Sequence, residues 1–176
     1  MLGVVLVSVE FEDYSVEVKT KLRESAIAFL YEVAGEITSR TIRNSDMHRK
    51  TGQTSGSYQY VVDEGNLSAH IGSDLENAIW EEFGTGKHAI DKNGNPSGKG
   101  RKGYWVYVDD GASGKKSKSP KTYTLEEAKK VVAMMRSEGL NAYYTNGKQA
   151  RRPLWKAFES IRGQVQKIAE ERFGDM

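Results

Sequence analysis

The chain contains no cysteine among its 176 residues. That absence excludes a disulfide framework, a cysteine-based zinc site and a thiol nucleophile. Long apolar runs are missing as well. Residues 1–9 form the only apolar stretch near the N-terminus, far short of the roughly 20 residues that a membrane helix needs. The stretch has no basic flank and runs into Glu10, Glu12 and Asp13, unlike a signal segment. A buried strand is expected there, in a chain that stays on the side of the membrane where it is made.

Catalytic patterns are equally scarce. The three histidines, His48, His70 and His88, lie 22 and 18 residues apart, and none belongs to a metal-ligand spacing. Gly84-Thr85-Gly86-Lys87-His88 has neither the length nor the hydroxyl of a phosphate-binding P-loop. Paired acids such as Glu81-Glu82 and Asp109-Asp110 point to different faces of a helix or strand, so most read as solvated surface groups. Glu82 stands apart, because it sits beside Trp80 and Phe83 against a glycine turn. A carboxylate buried there needs donors, either nearby backbone N–H groups or a neighbouring subunit's cations. No cofactor, metal ligand or catalytic group is expected.

What is present is an uneven distribution of charge. The net charge of +2 conceals 7 basic and 14 acidic side chains in residues 1–86, against 15 basic and 6 acidic ones in residues 87–152. Residues 153–176 hold four of each and balance. With 38% apolar and 28% charged residues, the composition is that of a folded globular chain.

The pattern predicts a helix from Asp13 or Ser15 to about residue 44, its stripe formed by Leu22, Ala26, Phe29, Leu30, Val33 and Ile37. A polar loop covers residues 43–56, and a hairpin over 57–71 turns at Asp63-Glu64-Gly65-Asn66. Asp74 heads a short helix over 75–83, closed by Gly84-Thr85-Gly86. Residues 93–103 and 111–121 read as basic loops on either side of a strand at 104–108. Thr124 and Glu127 have the spacing of a capping box, Gly139 closes that helix, and residues 141–145 form a strand. Parallel pairing of the two strands is the default if they share a sheet. Pro153 opens the last helix, where its missing N–H costs nothing.

Lys99, Arg101, Lys102, Lys115, Lys116, Lys118 and Lys121 in the two basic loops are candidate contacts for an anionic partner, either DNA or an acidic protein face. Tyr104, Trp105, Tyr107, Tyr143 and Tyr144 belong to the same unit, and a small core accounts for them better than base stacking does.

Three landmarks occur in order. Thr51-Gly52 is followed by Ser57. Ile71-Gly72-Ser73 leads into Ala78-Ile79-Trp80-Glu81-Glu82-Phe83-Gly84-Thr85-Gly86. Thr145-Asn146-Gly147-Lys148 precedes Pro153-Leu154 and Ala157-Phe158. The set resembles the tail-component family of tailed bacteriophages and prophages, whose pattern has a Thr-Gly-x-Leu-x-x-Ser loop, a Tyr-Ala-x-x-x-Glu-Phe-Gly-Thr segment and a C-terminal Pro-Phe helix. Thr54 stands where that pattern has Leu, Asn77 where it has Tyr, and Leu154 where Phe is common. The step from Pro153 to Ala157 is one residue shorter.

The resemblance covers roughly residues 15–86 and 143–173. It implies an α+β fold in which a small antiparallel sheet is packed by long N-terminal and C-terminal helices. Residues 1–86 and 143–176 are then the body, and 87–142 an inserted basic strand–helix–strand subdomain. It also implies a non-enzymatic structural protein of the virion tail or neck, assembled in the host cytoplasm. Such a protein forms a homo-oligomeric ring and docks to connector, stopper, tail terminator or tail tube proteins, with DNA passing through the lumen. Candidate subunit or ring contacts are Thr51, Gly52, Ser57, Trp80, Glu82, Phe83, Gly84 and Thr85. The alternative is a small nucleic-acid-binding module using the lysine-rich insert. A hydrolase using His70 or His88 is a third reading, for which no spacing argues.

Overall fold

The computed structural model describes residues 13–47, 52–109, 116–118 and 121–174. The expected strand at residues 1–9, and the candidates His48, Thr51 and Lys115, lie outside the described residues. The fold is α+β, with long helices at both ends of the described chain. Helix α1 (Ser15–Asp46) contains no proline, and its first turn is fixed by the Asp13 carboxylate, which accepts from the Ser15 N–H at 2.9 Å. Over 32 residues it is about 48 Å long.

The buried face of α1 only partly follows the stripe that the apolar spacing predicts: Ile37 is in the core cluster and Val33 packs against it, but the start of the stripe is not buried. Leu22 is half exposed, while Ala34, Ile37, Thr38, Thr41 and Ser45 are buried. Small residues allow close approach by the C-terminal helix α4 (Pro153–Phe173), which contributes Ala157 and Ile161 to the same cluster. The threonine hydroxyls do not go unsatisfied, because Thr38 and Thr41 donate to the carbonyls of Ala34 and Ile37 at 2.8 Å. Strands β1 (Gln59–Asp63) and β2 (Ser68–Gly72) form an antiparallel hairpin against α1. Its turn is held by the Asp63 carboxylate, which accepts from the backbone and side-chain amides of Asn66 at 3.0 and 2.7 Å.

Helix α2 (Glu76–Phe83) follows; its N-terminal turn is held by the Ser73 hydroxyl, which accepts from the Leu75 N–H at 3.0 Å, rather than by Asp74. The inserted unit has a core of its own. Strand β3 (Trp105–Asp109) is flanked by β4 (Lys116–Lys118) and β5 (Ala142–Thr145), and helix α3 (Leu125–Ser137) packs on this sheet. Val106, Ala128, Val132 and Ala142 are buried between them. Thr124 and Glu127 form the capping box that the spacing predicts.

The expected parallel pairing does not occur. β3 and β5 are antiparallel, because β4 lies within the lysine-rich loop and reverses the chain before α3 begins. β4 and β5 both run opposite to β3, so the strand–helix–strand crossover joins those two and spans β3. Gly139 (φ 83°) then turns the chain at the end of α3, where the Leu140 N–H bonds the Met135 carbonyl at 3.0 Å. Tyr143, Tyr144 and Thr145, which the sequence division places with the body, pair with β3 in the sheet of the insert.

Candidate functional site

The three landmarks are linked in turn, the first to the start of the second and the end of the second to the third. The Ser57 and Ser73 hydroxyls lie 2.6 Å apart, joining the first landmark to the start of the second. The second and third are laced together by backbone. The Thr85 N–H donates to the Lys148 carbonyl at 2.8 Å, the Lys148 N–H to the Thr85 hydroxyl at 2.9 Å, and the Lys87 N–H to the Asn146 carbonyl at 2.8 Å. Glycine makes this approach possible. A Cβ on Gly147 would lie 2.0 Å from the Thr85 carbonyl oxygen, and one on Gly84 2.7 Å from that of His88. Both glycines have positive φ.

Glu81 anchors the same junction from inside, a correction to its reading as a solvated surface acid. The residue is 7% exposed. Its carboxylate lies 2.5 Å from Lys148 Nζ and 3.5 Å from Arg151 Nη1, and its carbonyl accepts from the N–H groups of Arg151 and Arg152. A buried carboxylate needs such cations, since losing charge from water is costly unless it is paired.

Glu82 has the backbone donors that its position calls for. Its carboxylate accepts from the Leu154 N–H at 2.9 Å and the Trp155 N–H at 3.1 Å. Helix α4 has Arg152 at its N-cap, in a left-handed conformation and without a capping bond. Glu82 takes over that function from another helix. Burial raises its carboxyl above the ordinary value of 4.5, and the two N–H bonds and the Arg152 and Lys156 charges offset this in part. Tyr58 is buried close by, its phenol pushed up to about 12 by burial and then by the charges of Glu82 and Glu81.

Of the candidate ring contacts, Gly52, Ser57, Gly84 and Thr85 form local or cross-loop hydrogen bonds, and Trp80 is half-buried. Phe83 is exposed. Exposed Ile79 shares its helical face, four residues earlier, and exposed Trp155 and Phe158 occupy the first turns of α4. Ile79 and Phe158 belong to the sequence landmarks but are not among the candidate contacts, and Trp155 is in neither set.

The cationic candidates divide. Lys99 and Lys102 are exposed. The Arg101 guanidinium lies 5.1 Å from the Trp105 ring centre and donates to the Lys121 carbonyl at 2.8 Å, while Lys121 Nζ lies over the Tyr123 ring. For Lys116 and Lys118 the backbone alone is described, within β4. Tyr104 packs on the core of the insert, Tyr107 stacks on Tyr143, and Tyr144 meets Tyr104 edge-on. His70 is exposed, and His88 Nε2 lies 3.3 Å from Asn146 Oδ1. Among the described residues, no group of three or more acidic or imidazole side chains is placed to hold a metal ion. No described helix is long and apolar enough to cross a membrane. No protein-family model, curated protein or solved structure matches the chain.

Proposed function

We propose that the protein is a structural component of a tailed-phage or prophage virion. It acts at the head–tail neck or in tail completion, by ring self-assembly and by docking to connector or tail proteins. The linkage of the three landmarks carries this reading. Segments 16, 63 and 72 residues apart in sequence are joined by the Ser57–Ser73, Thr85–Lys148 and Glu82–Leu154 hydrogen bonds into one connected corner. A chance match of short motifs would not require these three stretches to be in contact in the fold.

Ile79 and Phe83 on α2, with Trp155 and Phe158 on α4, offer an exposed apolar surface at that corner, of the composition found in the centres of protein interfaces. The acidic body and the basic insert supply faces of opposite sign, which suits the head-to-tail contacts of a ring. The test is light scattering and negative-stain microscopy of the purified protein, alone and mixed with phage connectors and tails. Ring particles or decorated tail ends are expected, and Phe83→Ser with Trp155→Ser abolishes them while circular dichroism stays unchanged. A strict monomer that decorates neither would overturn the reading. Steeply salt-dependent, tight DNA binding by that monomer would favour the nucleic-acid module instead.

A further inference from the structure

We propose that the cleft where the insert meets the glycine junction binds a nucleotide, that is, an aromatic base carrying a phosphate ester. The cleft has a volume of about 390 Å³, near the lower end of the roughly 300–1,000 Å³ found for small-molecule sites. This inference goes beyond the virion role and does not rest on it.

The floor is backbone. Gly86, Gly98, Gly100 and Gly103 line the cleft. A Cβ on Gly100 would lie 1.9 Å from the Gly86 carbonyl oxygen, and one on Gly86 2.2 Å from that of Asn146. Three chain segments are thus in contact without side chains between them. The rim is braced by the pairings of Ile90 with Pro96 and of Tyr104 with Tyr123. A site formed in advance loses little ordering entropy when it is filled.

The charge on the lining has one sign. Lys87 and Lys102 border the cleft, and no carboxylate lines it. Neither lysine makes an ion pair among the described residues. Both ammonium groups are therefore available to a phosphate, and Lys99 on the same loop strengthens the positive field. The remaining lining includes Ala89, Pro96 and Tyr104. A bare phosphate gains nothing from these, whereas a base gains apolar contact. The arrangement differs from a P-loop, which the sequence excludes, because its cations come from two separate segments.

The experiment is an amide-resolved NMR titration of the full chain with AMP, oligo-dA, adenosine and inorganic phosphate. AMP is expected to shift the amides of Gly98, Gly100 and Gly103 saturably. Adenosine and phosphate each bind at least about tenfold more weakly, since each lacks one half of the recognised chemistry. Combining Lys87→Gln with Lys102→Gln weakens AMP by about tenfold or more. Both positions are exposed, so unchanged shifts elsewhere establish that the fold is kept. Tighter binding of oligo-dA at the same amides identifies a nucleic-acid strand as the source of the nucleotide, and tighter binding of AMP identifies the free form. The proposal fails if phosphate matches AMP, if neither AMP nor oligo-dA shifts these amides, or if the double variant binds AMP unchanged.

Discussion

The Glu82 carboxylate caps the helix that begins beside Leu154, accepting its N–H at 2.9 Å across 72 residues of sequence. The helix has no cap of its own at Arg152, so α2 supplies it. Glu82→Ala is expected to lower stability by about 1–2 kcal/mol, the cost of a lost cap. Urea denaturation measures it, and an unchanged midpoint would count against the capping role.

A pH dependence follows from the same residue. The folded carboxyl titrates above its ordinary value of 4.5, chiefly because it is buried. Between the unfolded and folded values the native state binds more protons, so this group's contribution is full below 4.5 and is lost as pH rises through the folded value. Carboxylates with lowered values, such as Asp63, act in the opposite sense. Glu82→Gln should remove this falling component. Stability measured against pH for both proteins checks it, and parallel curves above pH 4.5 would refute the assignment.

Tyr58 gives an alkaline counterpart. Its hydroxyl is buried with no hydrogen-bond partner among the described residues, and its phenol is pushed from 10.0 up to about 12. Removing an unpartnered hydroxyl should cost nothing, or stabilise by up to about 1 kcal/mol at neutral pH. The wild type loses stability as pH rises from 10 to about 12, because the unfolded chain releases the proton first. Tyr58→Phe should lack that loss. Thermal unfolding in alkaline buffers decides the matter, and an equal loss in both proteins would place the effect elsewhere.

Two glycines separate close packing from intrinsic propensity. Gly147 has φ 131°, and a side chain there would strike the Thr85 backbone. Gly147→Ala is expected to destabilise by more than about 2 kcal/mol, through strain and loss of the loop contact. Gly163 lies inside α4 with open space around it, so Gly163→Ala should stabilise by about 0.5–1 kcal/mol. Similar midpoints for the two variants would show that the loops do not depend on their glycines.

Much of the secondary structure was legible because its signals are local. The capping box at Thr124 and Glu127, Pro153 at a helix start and the Asp63–Asn66 turn each operate within four residues. Strand direction in the insert was not legible. It turned on β4, three residues inside a run of lysine and serine, which carries no alternation of apolar residues. The buried face of α1 was only half legible, because Thr38 and Thr41 are polar residues that become core by bonding their own helix backbone.

The candidate site shows the same division. Glu82 was marked out by its apolar neighbours, but its partners lie at the head of a distant helix. Glu81 looked like any exposed acid until the fold brought Lys148 and Arg151 to it.

The sequence by itself determined that thiol chemistry is excluded, where most helices start and stop, and that the positive excess belongs to residues 87–152. Composition, caps and periodicity act over a few residues and need no tertiary partner. Only the tertiary structure decided which acids are buried, which glycines touch and which way the strands run. Those properties belong to pairs of groups, such as Glu82 with Leu154 or Gly147 with Thr85. Their energies arise when distant backbone is brought within hydrogen-bonding distance and shielded from water.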